Sequence, residues 1–125
     1  MQEERKYDLE DRLIDFAIRI SELVEALPKS KLANQIGNQL IKSGTSPALN
    51  YGEAQSAESI NDFVHKMKVV LKELRESYVC LKIIVRKPLI TPTDKLNPIM
   101  KENNELISIF VKSIETAKKK KNRTS

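Results

Sequence analysis

Cysteine occurs once among the 125 residues, histidine once, glycine three times and tryptophan never. Cys80 alone closes no internal disulfide, so nothing in the chain asks for an oxidising compartment. His65 alone excludes a multi-histidine metal centre within one chain. With so little glycine and only five prolines, the chain has too few turn residues for a sandwich or barrel. No apolar run approaches the ~20 residues of a membrane span, so no membrane partner is expected. The start, MQEERKYDLEDR, is too charged for a signal peptide. Neither GxxxxGKS/T nor GxGxxG occurs, so no phosphate-cradling loop is supported. These absences leave a soluble, cytoplasmic, all-helical chain of one domain, long enough for a core without covalent staples.

Acid is missing from one place in particular. Residues 118–125, KKKKNRTS, hold five bases and no acid, so the net charge of +5 belongs entirely to them. The preceding 117 residues carry the remaining 17 bases against all 17 acids. Residues 1–117 are therefore read as the folded domain and 118–125 as a basic, disordered tail.

What is present is helical periodicity. Ile60, Val64, Met67, Leu71, Leu74, Tyr78, Leu81 and Val85 alternate spacings of four and three, the seam of a long helix running to about residue 87, before Pro88. Leu9, Leu13, Phe16, Ile20, Leu23 and Leu27 repeat the spacing over residues 8–27, where Pro28 stops the helix. Ser30 is a fair N-cap for a second helix, and Ser56 or Ser59 for the third. Within the second, Pro47 either kinks the helix or marks its end near Gly44; local rules leave both open. Beyond Pro88, Thr91-Pro92 or Asn97-Pro98 opens a fourth helix, with Met100, Ile107, Phe110 and Ile114 in line. Short links between four helices predict an antiparallel up-down-up-down four-helix bundle. Helix three, about 45 Å long at 1.5 Å per residue, also bears Phe63, Val70 and Ile84 off its seam, which suggests a surface shared with another subunit.

Candidate chemistry is sparse. His65 and Cys80 sit on one helix about 22 Å apart and form no dyad; Cys80 reads as a small buried hydrophobe. Glu73 and Glu76 share a helix face with Glu53 and Glu58 within reach, but without a Glu-x-x-His pair a carboxylate metal site is the weakest reading. Asn50, Glu53, Glu73 and Glu76 are instead expected to satisfy one another and nearby backbone inside the bundle. Catalytic residues, metal ligands and cofactors are therefore expected to be none. Lys68, Lys72, Arg75, Lys82 and Arg86 recur one residue past the seam as a basic stripe. With Lys118, Lys119, Lys120 and Lys121 they are the candidate nucleic-acid contacts, since such rows suit a phosphate track.

The stretch SGTSPALNYGEAQSAESINDFVHKMKVVLKELRES, residues 43–77, resembles the four helix bundle protein family, also called the 23S rRNA intervening-sequence protein family. Ser43, Gly44, Ser46, Asn50, Glu53, Glu58, His65, Lys66, Glu73 and Glu76 carry the resemblance, with Thr45, Ala54, Gln55, Ala57, Ser59, Asp62, Phe63, Leu71, Lys72 and Leu81. Pro47, Tyr51, Gly52, Val79 and Cys80 depart from the pattern. The resemblance implies an up-down bundle with a long, kinked second helix, homo-oligomers that are commonly pentamers, and genes lying within insertions in 23S rRNA genes. It also implies kinship with the accessory variability protein of diversity-generating retroelements, which binds nucleic acid and a reverse transcriptase. It implies no enzymatic activity. The rival expectation is a protein-interaction scaffold with no nucleic-acid role.

Overall fold

The computed structural model describes residues 8–124, and within them every regular element is helical. The N-terminal residues 1–7 and the final serine of the basic stretch lie outside the described residues. Helix α1 spans Leu9–Glu25, α2 Lys31–Ala54, α3 Ile60–Arg86 and α4 Asn97–Thr124. A short 3-10 turn, Thr93–Leu96, leads into α4. Three helices begin on side-chain caps that satisfy otherwise unpaired amides. Asp8 accepts from the Asp11 amide at 2.9 Å, Ser30 from Ala33 at 3.1 Å and Ser59 from Asp62 at 3.0 Å. α1 ends just before Pro28, and α3 closes at Lys87 before Pro88.

The helices form a four-helix bundle: α2 packs on α1 and α3, α3 on α4, and α4 closes more sparsely on α1. Phe16, Phe110, Leu13, Ile20, Leu40, Met67, Leu74 and Leu81 are fully buried at its centre. Tyr51 meets Phe110 edge-on across the bundle, centroids 5.7 Å apart. Arg12 ties α1 to α4, donating to both oxygens of Glu102 at 3.0 and 2.7 Å and to Glu105 at 3.0 Å.

α2 is continuous through Pro47, which resolves the open choice in favour of the long helix. Pro47 has no N–H to donate, but it is buried, so its ring fills core space. Gly44 explains how α1 and α2 come so close. A Cβ there would lie 2.7 Å from Cγ2 of the buried Ile20.

Two sequence expectations are corrected. Val70 and Ile84 are not a surface left over for another subunit; both are wholly buried within the chain. α3 is flanked by α2 and α4, so its buried arc is wider than a single seam, and Val70, Ser77, Cys80 and Ile84 join Leu74 and Leu81 in it. Leu71 and Val85, on the expected seam, are only half-buried. The basic stretch is not a separate disordered tail within the described residues: α4 runs on to Thr124, because AKKKKNRT contains no helix breaker and cations suit a helix C-terminus.

Candidate nucleic-acid interface

At 100° per residue, Asn61, His65, Lys68, Lys72, Arg75, Val79, Lys82 and Arg86 fall within an arc of about 100° on α3. All are exposed except the half-buried Lys82. The stripe is therefore one solvent-facing ridge, about 27 Å long from Lys68 to Arg86. Its charge is little cancelled along the helix. Lys72 reaches Glu76 only at 4.0 Å, with both side chains largely in water, a pairing worth little. Lys82 lies over the Tyr78 ring, 5.3 Å from its centroid, and the Tyr78 hydroxyl accepts from Asn104 of α4 at 3.1 Å. That contact props one cation of the ridge against the α3–α4 seam.

The end of α4 runs beside the start of α3. There Lys118 and Lys121 join Asn61, Val64, His65 and Lys68 around an open cleft of about 330 Å³. The other two lysines of the run leave this face: Lys120 lines a different groove and Lys119 is exposed without lining either. Sequence reasoning named the lysines but missed Asn61 and His65, although their spacing from Lys68 already placed them on the same ridge. It missed the convergence with α4 because it treated residues 118–121 as a free tail.

The motif residues are scattered rather than gathered. Asn50 donates to the Ser46 carbonyl of its own helix at 3.1 Å, Glu53 and Glu58 are exposed, and Glu76 faces Lys72. Glu73 is buried, with Oε1 lacking a partner. Of the expected satisfaction of Asn50, Glu53, Glu73 and Glu76, the backbone bond of Asn50 is present, whereas no hydrogen bond links the four, since Glu53 and Glu76 face water and Glu73 is buried. Ser43 and Ser77 do meet, hydroxyl to hydroxyl at 3.0 Å, deep between α2 and α3. Lys66 pairs with Asp62 at 3.2 Å, and this bond holds the Asp62 carboxyl below its ordinary range, helped by the Glu58 amide. Burial pushes the Cys80 thiol up, away from the thiolate a nucleophile needs. Among the described residues, no three His, Cys, Asp or Glu side chains gather where a metal could sit. No helix among them is long and apolar enough to cross a membrane.

A second concavity, of about 860 Å³, is predominantly apolar. It opens between the α2–α3 connection and the outer half of α4, floored by Ala54, Ile60, Phe63, Ile109 and Ala117. It follows the line of Glu102 and Glu105 along α4, where α1, beginning at Leu9, no longer covers that helix.

A solved protein shares this fold, and a family model matches the sequence. Residues 5–112 match the 23S rRNA-intervening sequence protein family. A solved structure from Bacteroides thetaiotaomicron, of a protein of unknown function in the S23 ribosomal protein family, is similar with a TM-score of 0.74 and 28% identity. The similarity covers 86% of this chain and 98% of that one. No curated protein matches.

Proposed function

The chain belongs to the 23S rRNA-intervening sequence protein family, and from that premise we propose that it is a non-catalytic, homo-oligomeric bundle that binds RNA or DNA by the phosphate backbone. The observation that carries this reading is the ridge itself. Lys68, Lys72, Arg75, Lys82 and Arg86 share one solvent face, and the helical end of α4 adds Lys118 and Lys121 beside it. The rest of the molecule carries 15 bases against 17 acids, so this face is where a polyanion is drawn. Lys119 and Lys120 contribute diffuse attraction from other faces of α4. The name of the family refers to an intervening sequence of 23S rRNA, and its structural neighbour is described within a ribosomal protein family, which is consistent with an RNA partner. A pentamer, cytoplasmic in location, is the assembly this reading favours; it would repeat the ridge around a ring.

The test is a titration of a labelled RNA or DNA strand followed by fluorescence anisotropy. Binding is expected at ~50 mM salt and should weaken steeply by ~200 mM, with a log–log slope of about −0.7 to −0.9 per phosphate engaged. No binding at ~50 mM salt sinks the proposal. Mass measurement in solution tests the assembly separately.

The apolar groove favours a second reading, a scaffold for a protein partner such as a reverse transcriptase. In that case, reversing the ridge charges leaves function intact while a charge placed at Phe63 abolishes it.

A further inference from the structure

The cleft between the start of α3 and the end of α4 does more than extend a basic surface. We infer that it is a discrete site for one backbone phosphate of a bound strand. This inference rests on the nucleic-acid reading above and locates it. Three lysines, Lys68, Lys118 and Lys121, come from two helices and line one cavity with none of its six lining residues acidic. His65 and Asn61 add groups able to donate hydrogen bonds, and the buried Val64 forms an apolar floor. Asp62, the nearest acid in sequence, is held by Lys66 and the Glu58 amide. Lys68 and Lys118, brought to one cavity from two helices, repel one another, and an anion between them relieves that repulsion. The cavity, about 330 Å³, admits a phosphate group, and its open side lets the strand pass on along the ridge.

The four consecutive lysines make the test specific. Lys118→Gln/Lys121→Gln and Lys119→Gln/Lys120→Gln remove the same charge from the same stretch, but only the first pair empties the cleft. With an oligouridine or oligothymidine strand of about 20 nucleotides, the first variant should lose about tenfold in affinity and about 0.7 units of salt slope, the second less than about threefold. His65 is the only histidine, so its Cε1–H proton gives one unambiguous NMR signal. That signal should move when either strand is added to the unaltered protein, and RNA or DNA preference shows as saturation of the shift at the lower strand concentration. It should stay still with the same sequence on a neutral methylphosphonate backbone.

Equal losses in the two variants, a still His65 signal on binding, or a shift with the neutral strand each overturn the cleft while leaving the nucleic-acid reading standing. Absence of any binding overturns both.

Discussion

At the scale of single residues, two glycines of α2 face opposite situations and should respond oppositely. A methyl group at Gly44 would sit 2.7 and 2.9 Å from two carbons of Ile20, which is fully buried and stiff at its branched Cβ. Overpacking of that kind costs about 1–3 kcal/mol, and alanine's better helix propensity returns about 1. Gly44→Ala should therefore lower stability by up to about 2 kcal/mol in denaturant titration. A methyl group at Gly52 would meet nothing within 4 Å, so Gly52→Ala keeps only the propensity gain and should raise stability by about 0.5–1 kcal/mol. A rise for Gly44→Ala would mean that α1 and α2 are further apart than described. The small residues here were visible in the sequence, since Ser43, Gly44, Thr45 and Ser46 stand together within the second helix. The partners of the polar residues were not. Periodicity tells which face a side chain is on, whereas a hydrogen bond across helices depends on their rotation and separation. Thus Ser43 found Ser77, and Glu73 was buried with one oxygen unpartnered.

At the scale of elements, caps and stops were the most legible features, because their chemistry is local. Ser30 and Ser59 cap as expected, and Pro28 and Pro88 lie just past helix ends. Pro47 was not decidable locally; burial between neighbouring helices offsets the hydrogen bond it cannot make. The breadth of α3's buried face was likewise hidden, since an a/d line describes one partner and α3 has two. The α2–α3 connection provides a test at this scale. Asp62 accepts from Lys66 at 3.2 Å and from the Glu58 amide at 3.3 Å, so its carboxyl lies below the ordinary 3.8 in the folded state. A depressed carboxyl pKa adds stability that is complete above the unfolded value and drains as pH falls through the folded one. Thermal melts should therefore lose midpoint on acidification below about pH 4, and Asp62→Asn should flatten part of that fall while costing a little at neutral pH. An acid limb identical to the parent's would show that Asp62 gains nothing from the two contacts.

At the scale of the whole molecule, the bundle must close, and closure between α1 and α4 depends on few groups. Arg12 supplies the polar part, with three hydrogen bonds to Glu102 and Glu105. The pair with Glu102 is largely shielded, the side chains being 28% and 19% exposed, whereas Glu105 is 49% exposed. Two forked bonds to one carboxylate are the stronger kind, and the hydrogen bond to Glu102 is the main reason the guanidinium is held charged even more firmly. Arg12→Met keeps much of the side-chain stem but leaves two carboxylates one turn apart, repelling each other beside a vacated partner. The loss should be about 1–2 kcal/mol after allowing for solvent screening, read from denaturant midpoints. Glu105→Gln should cost no more than about 0.5 kcal/mol. Combining Arg12→Met with Glu102→Leu should recover part of the loss, because a half-buried charge without its partner is worse than no pair at all. If Arg12→Met unfolds within ~0.3 kcal/mol of the parent, apolar packing of Leu13 and Phe16 closes the bundle alone. The consequence reaches the basic face, since whatever seats α4 against α1 also fixes the rotation that carries Lys118 and Lys121 to the side of α3. Loosening the α1–α4 seam should therefore weaken strand binding as well as stability, whereas Glu105→Gln leaves both nearly unchanged.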